Sequence, residues 1–388
     1  MVYDLSSNVV IGQGVTAQHT ARFLLSKSKK VKIFSLKDNH LPQELSHLYT
    51  NSFVPSTQVW MSPGISPEDP VLELLRKDNI ILDVDYFLAH TEVPAILVTG
   101  TNGKSSVCLY LQSLLKKMGK NSVCVGNFQP GILSLETQDL DWVIIELSSY
   151  QLYWLQKNHH VAATVLLNVE HDHIDWHGSF SAYTSLKQGV HQYGQVCVDS
   201  GDYGGMSFMP LAHKLFHRGH AWHDAMNMAA AQLVLKSLGM EVAIPEQWPG
   251  LPYRQSIGYQ PLSIVINDSK ATNIAATLSA VAMMKMRYPN QSKVLILAGV
   301  SKVTNHSQLR ESVRGCQLLI VGNDFQDLED IGQRFSNLED AIKTLALFKG
   351  VILFSPAGAS YDAYSHFEAR GEDFDRCIQR YCGTVTSD

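Results

Sequence analysis

Residues 95–106 read Ala-Ile-Leu-Val-Thr-Gly-Thr-Asn-Gly-Lys-Ser-Ser. The apolar run Ala95–Val98 has the length of a buried strand, and a helical pattern follows from Val107 to Lys117. A strand joined to a helix through glycines and a Lys-Ser pair is a phosphate cradle. Glycines let backbone N–H groups approach an anion, the helix N-terminus adds partial positive charge, and the lysine supplies a full one. Gly100, Thr101, Asn102, Gly103, Lys104, Ser105 and Ser106 are therefore the candidate nucleotide-phosphate contacts, with the Ser105 hydroxyl able to reach a phosphate-bound Mg2+. Val98 stands where the full G-x-x-x-x-G-K-[ST] pattern has its first glycine. The competing reading is a tight turn between an ordinary strand and helix.

At 388 residues the chain is long enough for two or three domains. Its 45% hydrophobic and 17% charged content suit several buried cores. A net charge of −5 argues against a general nucleic-acid binder. The six cysteines are scattered without a C-x-x-C pair, the pattern of reduced thiols in a cytoplasmic protein. The N-terminal residues show no signal-peptide pattern, and no apolar run reaches the roughly 18 residues of a membrane span. These features lead to the expectation of a cytoplasmic protein without a membrane span.

Strands alternate with helices along the whole chain, which predicts an α/β protein with parallel sheets. Asn8–Ile11 reads as a strand leading to Gly12-Gln13-Gly14-Val15-Thr16-Ala17, a G-x-G-x-x-A turn, and a helix to about Ser26. The acidic residue of a dinucleotide site is missing, since the second strand ends in Phe34-Ser35. A nucleotide site and a helix-packing turn both fit. A helix over 41–48, a strand over 58–60, a helix over 68–77 and a strand over 80–82 complete the first unit. In the second, strands at 95–98, 122–125, 141–146 and 161–168 precede a stretch, 199–222, that reads as loop or short strands. A helix over 223–238 follows. The third unit has strands at 263–266, 293–298, 317–321 and 350–354, with a helix from about Asn273.

Ligands of parallel sheets bind at the carboxyl ends of strands. Three such ends in the second unit carry Lys104-Ser105, Glu146 and the cluster His171-Asp172-His173-Ile174-Asp175. Glu146 is a candidate Mg2+ ligand, and His173 could aid a metal or phosphate. The cluster HDHIDWH misses the two-zinc pattern H-x-H-x-D-H by one residue, Trp176. Nothing local singles out Lys187, since a helical lysine usually faces solvent. Asn267–Asn273 is a polar loop at a helix start where Lys270 could stabilise a transferring phosphoryl group. Ser355–Ser360 is a small-residue loop suited to a small anionic substrate.

The motifs TGTNGKS, ELSSYQL, LNVEHDHID, YTSLK, INDSKATN and SPAGASYDAYSHFEARG occur in the order found in the Mur ligases, and the chain resembles that family over nearly its whole length. The last two resemble the branch that adds D-glutamate. The resemblance implies three domains: a Rossmann-like domain over 1–93 for the UDP end of the acceptor, a P-loop NTPase-like parallel-sheet domain over 94–250 for ATP, and a Rossmann-like domain over 251–388 for the amino acid. It implies an ATP-dependent acid–D-amino-acid ligase of peptidoglycan synthesis that joins D-glutamate to UDP-N-acetylmuramoyl-L-alanine through an acyl phosphate. A monomer with two Mg2+ ions is implied. Another Mur ligase, a folylpolyglutamate synthase-like ligase and a non-catalytic nucleotide-binding relative are the alternatives.

By the same resemblance, Lys104 would contact the ATP phosphates, and Ser105 with Glu146 would hold one Mg2+. His173 and a carbamylated Lys187 would hold the second. Val15 and Thr16 would contact the acceptor, and so would Asn127 and His173. Asn227 would contact adenine; Arg254, Asp268 and Lys270 would close on ATP; Thr272 would bind substrate; and Lys302, Ser360 and Phe367 would receive D-glutamate. The chain departs from the family at Asp224, Val300 and Phe34-Ser35, and the stretch from Lys187 to His223 is shorter than usual, implying a trimmed central domain.

Overall fold

The apolar runs settle into three sheets of a computed structural model that describes residues 7–35, 40–51, 58–75, 80–128, 131–156, 159–217, 222–241 and 252–383. The first sheet holds β1 (Ser7–Ile11), β2 (Lys30–Phe34), β3 (Tyr49–Thr50), β4 (Gln58–Met61) and β5 (Ile80–Ile81), with α1 (Val15–Ser26) and α2 (Asp83–His90). Its order is β3-β2-β1-β4-β5 and every pair is parallel. The order reverses beside β1, so a ligand crevice opens at the carboxyl ends of β1 and β4.

The second sheet holds β6 (Ala95–Thr99), β7 (Ser122–Gly126), β8 (Trp142–Glu146), β9 (Val161–Leu166), β10 (Gly194–Asp199) and β11 (Met206–Ser207). Its order is β11-β10-β9-β6-β8-β7, all parallel. Its helices are α3 (Lys104–Lys117), α4 (Ser149–Trp154), α5 (Ile174–His177), α6 (Phe180–Gln188), α7 (Met209–Phe216) and α8 (Trp222–Ser237). On α3, Val107, Leu111, Leu114 and Leu115 recur at helical spacing and are buried. β6 is buried along its whole length between β8 and β9, which explains its uninterrupted apolar run.

The third sheet holds β12 (Ser256–Tyr259), β13 (Ser263–Asn267), β14 (Lys293–Ala298), β15 (Gln317–Val321), β16 (Gly332–Phe335) and β17 (Gly350–Ala357), in the order β12-β13-β17-β14-β15-β16. Only β12, at one edge, runs antiparallel to its neighbour among the described strands. Alternate residues of β14 serve two cores. Leu295 and Leu297 pack with α9 (Ile274–Arg287) and α10 (Ser307–Ser312), while Val294 and Ile296 pack with α11 (Leu338–Lys343) and α12 (Phe367–Cys382).

The first two sheets form one compact unit. The third belongs to a second unit, which also takes in Glu170–His173. In the first unit, Ala21 and Leu24 of α1 and Val84 and Phe87 of α2 share one apolar core with Ile132, Leu133, Val143 and Ile145.

Several expectations are corrected. Over 41–48 the chain makes successive i→i+3 turns, Leu45 N to Pro42 O at 2.9 Å and Leu48 N to Leu45 O at 2.9 Å, with only Ser46–Leu48 helical. The helix expected over 68–77 is a 3-10 segment, Pro70–Leu74, capped by Asp69; residues 76 and 77 lie outside the described residues. Within 199–222 the helix α7 forms, with Pro210 in its first turn and Ala212 and Leu215 buried. Helix α2 was not expected. β17 runs on past 354 through Pro356, which cannot donate to the ladder, and the register with β14 shifts there.

Candidate active site

The glycine loop between β6 and α3 is held by its neighbour strand. Thr101 N donates to Asn168 O at 2.8 Å and Asn102 N to Asn168 Oδ1 at 2.9 Å. Gly100 and Gly103 have φ of +152° and +87°, backbone that side-chain-bearing residues rarely adopt. Space is also short. A Cβ on Gly100 would lie 2.8 Å from Leu167 Cβ, and one on Gly103 would lie 2.5 Å from Asn227 Oδ1. Lys104 folds back over the loop, Nζ donating to Gly100 O at 3.0 Å and Thr101 O at 2.8 Å. Ser105 and Ser106 occupy the first turn of α3, half-buried.

Glu146 ends β8 opposite Val98 of β6 and Gly126 of β7, and only 2% of it is exposed. Its Oε1 accepts from Asn127 Nδ2 at 3.0 Å. Lys187 is 1% exposed. From α6 its Nζ donates to Gly100 O at 2.9 Å and Thr99 Oγ1 at 3.3 Å, and it lies 4.9 Å from the centre of the Tyr183 ring. The same tyrosine's hydroxyl is 3.0 Å from Thr101 Oγ1. A buried helical lysine thus reaches the phosphate loop. On α8, Asn227 is buried against Gly103. Asp224, where the resemblance expects asparagine, accepts from Tyr110 OH of α3 at 3.2 Å. Burial and this carboxylate push the Tyr110 hydroxyl well above the ordinary phenol range.

Val15 and Thr16 begin α1 at the rim of a cavity of about 630 Å³, formed where the first sheet's strand order reverses. Gly12–Thr16, Phe34, Ser35, His40 and Ser62–Ser66 line it. Phe34 and Ser35, which stand in place of the dinucleotide-type acid, face this cavity.

In the second unit Asp268 follows β13. Its carboxylate accepts from Ser355 Oγ at 2.9 Å and Gln255 N at 3.2 Å. Burial pushes this carboxyl up to about 7, against the hydrogen bonds and the Arg254 charge, which favour ionisation. Lys270 Nζ sits 3.9 Å from the centre of the Phe367 ring, a cation–π contact. Thr272 is half-buried just before Asn273, which caps α9 by accepting from Ala276 N at 2.9 Å. Ser360 is buried, and its carbonyl accepts from Tyr364 N at 2.9 Å. Lys302 is exposed and donates to Asp172 Oδ1 at 2.6 Å. His173 takes a left-handed backbone, φ +54°, with Nε2 3.5 Å from Asp172 Oδ2.

Residues 98–193 match the family model for the Mur ligase middle domain. Over nearly the whole chain the sequence is 28% identical to the UDP-N-acetylmuramoylalanine–D-glutamate ligase of Buchnera aphidicola, covering 96% of this chain and 97% of that one. It is 27% identical to the enzyme of the same name from Haemophilus influenzae, covering 97% and 99%. The fold is similar to the MurF ligase from Thermotoga maritima solved in complex with ADP, with a TM-score of 0.61 at 15% identity over 91% of this chain and 95% of that one. A MurF from Acinetobacter baumannii gives 0.59 at 13% identity over 95% and 90%. The chain is thus similar to the Mur ligases in its middle domain, over nearly its whole sequence and in its fold.

The structure brings Lys104, Lys187, Gly100 and Thr101 together, Glu146 onto Asn127, and Asn227 onto Gly103. In the second unit it joins Asp268 with Gln255 and Ser355, and Lys270 with Phe367. Among the described residues, no three His, Cys, Asp or Glu side chains gather as a metal cage. His177 instead joins an aromatic cluster, 5.2 Å from the Tyr183 ring and 4.5 Å from that of Trp176, which disfavours the two-zinc pattern. A buried carboxylate beside a serine-bearing phosphate loop does fit Mg2+, whose remaining ligands are commonly phosphate oxygens and water.

Sequence reasoning missed the residues that hold the site in shape. Asn168 clamps the phosphate loop, and Tyr183 underlies it. Arg370 is 1% exposed, and its guanidinium donates to Ser269 Oγ at 3.2 Å, Ser269 O at 2.8 Å and Gly358 O at 3.0 Å. Asn168 and Arg370 lie inside motifs quoted for the resemblance, but residue type alone assigns them no task.

Proposed function

We propose that the chain is an ATP-dependent ligase that joins D-glutamate to UDP-N-acetylmuramoyl-L-alanine. The reading is supported by the convergence of Lys104 and Lys187 on one carbonyl of a glycine loop beside buried Glu146, and by relatives of that name over nearly the whole chain. Three domains, 1–93, 94–250 and 251–388, would carry acceptor, nucleotide and amino acid in turn. No described helix is long and apolar enough to cross a membrane, and water-soluble substrates suit a monomeric enzyme of the cytoplasm.

Chemically, an unreactive carboxylate must become an electrophile. The γ-phosphoryl group of ATP passes to the acceptor carboxylate, and the D-glutamate amine then displaces phosphate to form the amide. Lys104 and the loop's N–H groups would hold the ATP phosphates. Asn227 would contact adenine, and Arg254, Asp268 and Lys270 would act on the nucleotide from the C-terminal domain. Val15, Thr16, Asn127 and His173 would position the acceptor; Thr272 would contact substrate; Lys302, Ser360 and Phe367 would receive the amino acid. Bound Mg2+ offsets the crowded negative charge of phosphoryl transfer. Ser105 and Glu146 would hold one ion, and His173 with a carbamylated Lys187 the other. The burial of Lys187 fits carbamylation, because a carbamate would put an anionic oxygen donor beside cationic Lys104.

The test is phosphate release by the purified chain. It should require ATP, the acceptor and D-glutamate together. Preference for L-alanine or meso-diaminopimelate, or release independent of the acceptor, would overturn the reading.

A further inference from the structure

Between β14 and α10 the chain turns through residues 299–306, and side chains from the loop after β15 hold the turn. Val300 and Ala359 exchange backbone hydrogen bonds at 2.8 Å each way. One residue on, Ser301 N donates to Asp324 Oδ2 at 2.6 Å. Ser301 Oγ accepts from Val303 N at 3.3 Å and lies 2.9 Å from Val303 O and 2.8 Å from His306 Nε2. His306 is 3% exposed. Its Nδ1 faces Asp327 Oδ1 at 2.6 Å, and its backbone N donates to Asp327 Oδ2 at 2.9 Å. The Phe325 ring packs 4.8 Å from the imidazole. Arg334 in turn fixes the carboxylate-bearing loop by donating to Asp324 O at 2.9 Å.

An ionised carboxylate only accepts, so Asp327 sets the hydrogen on His306 Nδ1 and with it the ring's orientation. The other ring nitrogen then meets the Ser301 hydroxyl. Serine, histidine and aspartate stand in the order of a nucleophilic triad, but this hydroxyl is committed to the backbone of its own loop. It accepts from the Val303 N–H, and its one hydrogen is shared between two acceptors, the Val303 carbonyl and His306 Nε2, so the serine spans Lys302 from one side to the other while tied to the imidazole. Burial alone would raise the Asp327 carboxyl; the hydrogen bonds from His306 outweigh it and hold the group below the ordinary range.

We propose that Ser301, His306 and Asp327 form a positioning relay that fixes the backbone on both sides of Lys302 and thereby tunes the affinity of this loop for the carboxylate of the incoming amino acid. The inference rests on the reading of Lys302 as an amino-acid contact. In the structure the Lys302 ammonium donates to the Asp172 carboxylate, which the carboxylate of the amino acid would have to displace. The three relay residues act through Lys302 and touch no reacting atom.

The experiment compares the native chain with His306→Ala, His306→Gln and Ser301→Ala, at saturating ATP and acceptor. Loss of uniform binding raises KM at constant kcat. His306→Ala and Ser301→Ala should raise the KM for D-glutamate about tenfold, with kcat within about twofold and the KM for ATP unchanged. His306→Gln, which can still reach the serine hydroxyl, should recover most of the affinity. An unchanged KM for D-glutamate, or equal rises for D-glutamate and ATP, would overturn the relay. A native chain inactive with D-glutamate would instead fail the functional reading. Amide exchange then tests the relay by itself: Val303 N–H should be protected in the native chain and unprotected in Ser301→Ala, and equal protection in both overturns it.

Discussion

Lys104 and Lys187 donate to the same oxygen, the carbonyl of Gly100, at 3.0 and 2.9 Å. One comes from the first residue of α3 and the other from the end of α6. While both are ammonium groups they repel each other and attract an anion, and carbamylation of Lys187 would replace one of the two cations with an anion facing the other. Neither lysine can be replaced without changing the field felt by the other.

Lys187→Ala should lower phosphate release at least a hundredfold, an effect of the size seen when a preorganised electrostatic group is removed. Millimolar acetate or propionate should restore part of it by standing in for a carbamate. The comparison is activity with and without the added acid. Full activity in the unrescued variant would refute a metal-bridging role.

Gly103→Ala should impair nucleotide binding more than it impairs folding. Its left-handed backbone alone costs a side-chain-bearing residue about 1–2 kcal/mol, and the new methyl would press on the Asn227 amide. Calorimetric titration with ATP, paired with a melting curve, separates the two. Unchanged ATP affinity would show that the loop tolerates the methyl group and that its glycine serves no nucleotide contact.

Asp268 gives the second unit a pH dependence of definite sign. Burial raises its carboxyl from an ordinary 3.8 to about 7, so the native state holds the proton more tightly than the unfolded chain does. The stability this contributes is complete below about pH 4 and fades as pH rises through about 7. Asp268→Asn removes the charge, so its melting temperature should gain on that of the native chain between pH 4 and pH 8. Parallel melting curves over that range would contradict the assignment.

Arg370→Ala should destabilise the second unit by about 3–5 kcal/mol, because it empties a fully buried volume and strands the carbonyls of Ser269 and Gly358. Burial already pulls the guanidinium down to about 10. Arg370→Lys keeps a cation but loses the forked donors, so it should fall between the two. Urea unfolding followed by near-ultraviolet circular dichroism reads the difference. A loss under about 1 kcal/mol would mean that neighbouring groups reseal the site.

The parts of this molecule legible in sequence are those whose cause is local. β6, β8 and β9 are continuous apolar runs because both faces of each are covered. The phosphate loop announces itself through glycine, lysine and serine within a few residues. Lys187 does not, since its burial depends on Gly100, 87 residues away. Arg370 and Ser269 are 101 residues apart and meet only when α12 packs on the sheet. Helix α7 carries an apolar period, with Phe208, Ala212 and Leu215 buried, but it is short and follows a glycine-rich stretch that masks it. Resemblance supplied the task of Lys187, and geometry alone supplied that of Arg370.

The apolar core shared by α1, α2 and Ile132–Leu133 has a consequence for synthesis. A chain made from its N-terminus completes α2 well before Ile132 and Leu133 leave the ribosome. At about 5–20 residues per second the exposed helix faces wait roughly two to eight seconds for their cover. During that interval Leu24 and Phe87 are open to chaperones or to other nascent chains. The first sheet therefore matures only with the second, and a fragment ending before β6 would keep that sticky face permanently uncovered.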